Sequence, residues 1–96
     1  MSAVVNRDGM SREEKSLLLF FETCEVDYGG LVKSECMNAD DFEIADRWND
    51  AGYVRFGRVK ANDIQKGVPY PRNRWCALSE SAWADAHALR RERAKR

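Results

Sequence analysis

The chain has 96 residues, of which 44% are apolar and 33% charged, with 16 basic and 16 acidic side chains. That is room for one domain with one modest core, and a globular rather than a disordered balance. The longest apolar run, residues 17–21, is far short of the roughly 20 residues a membrane span needs, and the first residues hold no apolar core of signal-peptide length, so a cytoplasmic protein with no membrane partner is expected.

The zero net charge hides an asymmetry. Residues 1–51 carry five bases and twelve acids, a net of −7; residues 52–96 carry eleven bases and four acids, a net of +7. Such a split points to a polar partner surface or a basic tail, or serves solubility alone.

Residues 1–10 lack a clear period and read as a loose lead-in. Ser11-Arg12-Glu13-Glu14 has the form of a capping box, because serine and the glutamate three residues on can each accept from an otherwise unpaired backbone N–H. A helix should follow. Leu17, Phe20, Phe21 and Cys24 share one face of it, and Leu18 and Leu19 widen the stripe, so cover on more than one side is expected. Asp27-Tyr28-Gly29-Gly30 breaks the pattern. Residues 31–37 fit either a short helix or a short extended segment.

Asn38 is the next N-cap, with Asp40 and Asp41 in the first turn, where the helix dipole favours acids. On a helix over 39–51, Ile44, Trp48 and Ala51 share a face, with Phe42 and Ala45 beside them, and Gly52 ends it. Residues 53–59, rich in aromatic and β-branched side chains, predict a strand. Residues 60–73 read as a loop, and 74–78 as the return strand of a hairpin. Ser79 or Ser81 then caps a last helix with Ala82, Ala86 and Leu89 on one face and Trp83 beside it. Its end, residues 90–96, is basic and is expected to fray. No internal repeat or low-complexity linker is visible.

Cys24, Cys36 and Cys76 are an odd, widely spaced set and read as buried or half-buried free thiols rather than a disulfide framework or a zinc site. No enzyme is expected. His87 is the only histidine, and no motif brings a cysteine to it. Asp40 and Asp41 are explained by helix capping. Gly29-Gly30 lacks the lysine and hydroxyl of a phosphate loop, so no cofactor is expected either.

Helix, short segment, helix, strand, long loop, strand, helix is an order that resembles a winged helix-turn-helix domain. Trp48-Asn49-Asp50-Ala51-Gly52-Tyr53-Val54 is similar to the junction where the third helix of that family ends and the wing begins. Cys76-Ala77-Leu78-Ser79-Glu80-Ser81-Ala82-Trp83 is similar to its passage from second wing strand to closing helix. The resemblance covers residues 11–93, leaving 94–96 as a basic end, and implies an α+β fold: a helical core, a β-hairpin wing and a C-terminal helix. A second, weaker resemblance, around Met37-Asn38-Ala39-Asp40-Asp41 and Phe56-Gly57-Arg58, is to small phage or prophage proteins.

The family resemblance implies DNA binding, with the third helix in the major groove and the wing on the backbone or minor groove. A small DNA-binding regulator of transcription is the leading expectation. Arg55, Arg58, Lys60, Lys66, Arg72 and Arg74 surround the hairpin, with only Asp63 against them, and would neutralise phosphates. Tyr70 is placed to stack or to pack on a sugar.

The helix over 39–51 argues the other way. Its outward side would carry Glu43, Asp46, Arg47 and Asp50, and residues 38–51 hold five acids and one base, a net of −4. Two like charges 4 Å apart repel by about 1 kcal/mol in water, and only Arg47 and Asn49 are usual base readers. The alternative is a protein–protein module or inhibitor whose acidic helix docks on a basic surface of a host protein. A homodimer through Leu18, Leu19 and the last helix is compatible with either.

Overall fold

The computed structural model describes residues 9–60 and 72–94. In chain order the described elements are α1 (Arg12–Tyr28), β1 (Leu31–Val32), a single 3₁₀ turn (Ser34–Cys36), α2 (Ala39–Ala51), β2 (Val54–Arg58), β3 (Arg74–Leu78) and α3 (Glu80–Ala94). Three helices and one antiparallel three-stranded sheet make an α+β fold. The strand order is β1-β3-β2.

The helix starts follow the local chemistry of the chain. Ser11 Oγ accepts from the Glu14 N–H at 3.1 Å, and Glu14 Oε1 accepts from the Ser11 N–H at 3.2 Å. Asn38 and Asp41 form the same reciprocal pair at the start of α2, at 2.8 and 3.1 Å. At the end of α2, Gly52 takes φ 74° and Tyr53 N–H returns to the Trp48 carbonyl at 2.9 Å. Left-handed backbone there costs glycine nothing. Ser79, not Ser81, opens α3: its Oγ accepts from the Ala82 N–H at 3.2 Å.

Residues 31–37 divide between the two expectations. Leu31 and Val32 pair with Trp75 and Arg74 as an edge strand, and the 3₁₀ turn follows. Gly30 makes this pairing possible. Its φ is 87°, its carbonyl accepts from Cys76 N–H at 2.8 Å, and a Cβ there would lie 2.7 Å from the Cys76 carbonyl oxygen. Only glycine fits that approach.

The core lies where α1 meets α2, α3 and one face of the sheet. Leu18, Phe21, Val32 and Val54 are fully buried. Phe21 joins the elements, with its ring centroid 6.4 Å from Trp48 of α2 and 5.6 Å from Phe56 of β2, while Phe42 meets Phe56 at 6.1 Å. Ala82, Ala86 and Leu89 are the buried stripe of α3. Small side chains let this helix come close to α1 and β3.

Four expectations are corrected. Met10 is not part of a loose lead-in; it is buried against the core, and residues 1–8 lie outside the described residues. Leu18 and Leu19 are both core residues, buried because α1 is covered on more than one side, so they offer no surface for a homodimer. Cys36 is exposed, as the 3₁₀ turn presents it outward; Cys24 and Cys76 are buried. Finally, α3 does not fray at Arg90 but continues to Ala94. Arg90 is held on α1: its guanidinium donates to Glu22 Oε1, and to Thr23 Oγ1 at 2.8 Å.

Candidate nucleic-acid interface

The hairpin of β2 and β3 carries the candidate bases, and antiparallel pairing sorts them by face. Directly opposed residues point the same way, and successive residues alternate. Val54, Phe56 and Arg58 oppose Leu78, Cys76 and Arg74. This face starts in the core and ends, at the far end of the paired strands, with Arg58 opposite Arg74. Arg55 opposes Ala77 and Gly57 opposes Trp75, which makes the outer face. The ladder runs one step past the strands, since Val59 N–H donates to the Asn73 carbonyl at 3.0 Å. Asn73 Oδ1 also accepts from Ser34 N–H at 3.2 Å, tying the hairpin to the 3₁₀ turn.

The candidate bases differ in how free they are. Arg55, Arg58 and Lys60 are exposed. Arg74 is half-buried, with its guanidinium carbon 5.5 Å from the centre of the Phe42 ring and its Nε buried without a hydrogen-bond acceptor. Arg72 is committed to the protein: it lies 3.3 Å over the Tyr28 ring and donates to the Leu31 carbonyl at 3.0 Å. Lys66, Asp63 and Tyr70 fall outside the described residues.

Arg58 and Arg74 stand in direct cross-strand register without a carboxylate partner among the described residues. Like charges so placed destabilise a sheet. An anion laid across them would remove that repulsion and supply an acceptor for guanidinium N–H groups.

On α2, Glu43, Asp46, Arg47 and Asp50 are all exposed, and Ile44, Ala45 and Trp48 are buried. The division of faces is the one expected from the sequence. Asn49 is the exception, because its Oδ1 accepts from Phe56 N–H at 3.2 Å, so it braces the start of the hairpin instead of standing ready for a base.

Sequence reasoning did not single out two features. Glu22 is buried, with Oε1 on Arg90 and Oε2 3.5 Å from His87 Nε2. Its place on the α1 stripe beside Phe21 was the available signal, since a charged residue there needs a partner. The second feature is Trp75, which lies against Gly57 on the outer face; a Cβ at Gly57 would come within 2.8 Å of three indole atoms. Only the strand register puts it over a glycine. An open groove of about 370 Å³ between α1 and α3 is lined by Ser16, Leu19, Phe20, Thr23 and Arg90. It sets hydroxyls beside a guanidinium and brings no histidine or cysteine to them.

No helix among the described residues is long and apolar enough to cross a membrane. Compared with models of protein families, with curated proteins and with solved structures, the chain matches none.

Proposed function

We propose that this chain is a winged helix-turn-helix domain that binds nucleic acid through its hairpin rather than through α2. The element order supports the fold part of this reading: α2 leads through Gly52 into a two-stranded hairpin that returns to a closing helix. The observation that carries the functional part is the Arg58–Arg74 pair. Two arginines in direct cross-strand register, with no carboxylate partner among the described residues, suit a phosphate. Arg55 and Lys60 extend the positive charge along the same hairpin. The exposed acids of α2 disfavour entry of that helix into a groove.

The test is binding of a mixed-sequence duplex to the full chain by fluorescence anisotropy across a salt series. Affinity should fall steeply with salt, and Arg58→Glu should lower it at least tenfold. Each phosphate that a variant no longer neutralises should reduce the slope of log K against log salt by about 0.9. Absence of binding at low ionic strength overturns the reading.

A second reading has its own observation: the outward side of α2 presents Glu43, Asp46 and Asp50 to solvent around the single base Arg47. Such a face suits a basic surface on a host protein, as an inhibitor from a mobile element would use. Asp46→Lys with Asp50→Lys should abolish capture of such a partner, while an unchanged set of captured proteins would eliminate this face.

A further inference from the structure

We propose that the outer face of the sheet is a stacking platform for unpaired nucleotides, with Trp75 as the side chain on which a base lies. The inference rests on the nucleic-acid reading and adds a ligand class and a second surface to it.

Among the described residues the exposed large apolar side chains are Val26, Tyr28, Leu31 and Trp75. Two of these four stand side by side on the outer face: Leu31 and Trp75 are direct cross-strand partners, 37% and 38% exposed.

Two features decide what this pair contacts. One is the shape of the tryptophan site. Gly57 stands where a strand residue would normally prop the indole away from the sheet. With no Cβ beneath it, the indole rests on the strand backbone and is held in one orientation before any ligand arrives. A pre-oriented aromatic plane loses little entropy on stacking. The other is charge. The positions on this face are Leu31, Trp75 and Gly57, then Ala77 and Arg55; none is a carboxylate, and Arg55 is exposed. A flat aromatic surface flanked by a guanidinium group is complementary to a base attached to a phosphate chain. Paired bases are stacked inside a duplex and cannot reach it, so the ligand is single-stranded.

The test uses the full chain with a twelve-nucleotide oligothymidylate and a duplex of the same length. The single strand should quench tryptophan emission, since Trp48 is buried and Trp75 is the most accessible of the three indoles. Trp75→Ala should weaken single-strand binding about tenfold and leave duplex binding within twofold. Trp75→Phe should keep affinity within threefold while losing most of the quench, which keeps the question readable if the alanine variant does not fold. An oligoglutamate of equal charge should not displace the single strand. Wild-type single-strand affinity in a folded Trp75→Ala protein, or displacement by oligoglutamate, overturns the platform. If duplex binding with its steep salt dependence survives that result, the hairpin reading stands alone. If the single strand binds through Trp75 and the duplex does not bind, the platform stands and the duplex reading falls.

Discussion

Cys76 shows how a single side chain is set by its surroundings. Its Sγ lies 3.7 Å from the Phe21 carbonyl and donates to it, inside the core. Burial pushes the thiol up to about 12 from its ordinary 9, with smaller contributions from Cys24 and Glu25. Burial also raises Cys24, against the opposing charge of Arg72. A raised folded-state value means that the folded protein keeps its proton where the unfolded chain has lost it. Stability from this group is therefore complete below pH 9 and declines from pH 9 to about 12, by no more than about 1.4 kcal/mol per pH unit. Denaturant midpoints at pH 7, 9, 10 and 11 should fall more steeply for the native chain than for Cys76→Ala. Reactivity should divide the same way. At pH 8 Cys36 alone reacts quickly with a thiol reagent, and Cys24 and Cys76 react only on unfolding.

Between elements, the contact of α1 with α3 depends on more than apolar packing. Glu22 is a carboxylate on the buried side of α1, and Arg90, half exposed, reaches across to it and to Thr23. Tyr53 OH donates to Asp85 Oδ2 at 2.5 Å, which fastens the entry of β2 to α3. Removing Arg90 leaves a buried charge without its strongest partner. Arg90→Ala should destabilise by about 1–2 kcal/mol, discounted from the fully buried case because the guanidinium is itself half in solvent. Chemical denaturation of the variant checks this, and Glu22→Gln in the Arg90→Ala background should recover part of the loss. Gly30 acts between elements too. Gly30→Ala brings a methyl onto the Cys76 carbonyl and strains a φ of 87°, and should lower the melting temperature by several degrees.

For the whole molecule, the aromatic chain from Trp48 through Phe21 and Phe56 to Phe42 makes one cooperative unit of α1, α2 and the hairpin. Phe21→Ala should cost about 3–5 kcal/mol, a large part of the margin of a domain this size. Tryptophan emission and far-ultraviolet circular dichroism should then shift together in denaturant, because no described element packs independently of that chain. The charge split has a molecular consequence as well. The acidic outward face of α2 and the basic hairpin sit on neighbouring elements, and no ion pair joins them among the described residues. Each remains open to a partner of opposite sign.

Local order was legible in the sequence wherever a residue acts on its own backbone. The capping box at Ser11, the N-cap at Asn38, the glycine after α2 and the strand patterns of β2 and β3 depend on neighbours within a few positions, and they stand where the pattern places them. The same holds for the outward acids of α2, since helical period alone sorts its faces. Tertiary structure decided the rest. Which bases are free was settled by what lies under them: Arg72 is taken up by Tyr28 and Leu31, Arg74 is laid on Phe42, and Arg90 is drawn from the basic end to Glu22. The edge strand at Leu31 needed the Cys76 backbone to pair with, and Arg58 met Arg74 only through the strand register. These contacts join residues from about 16 to 68 positions apart, beyond the reach of any local period.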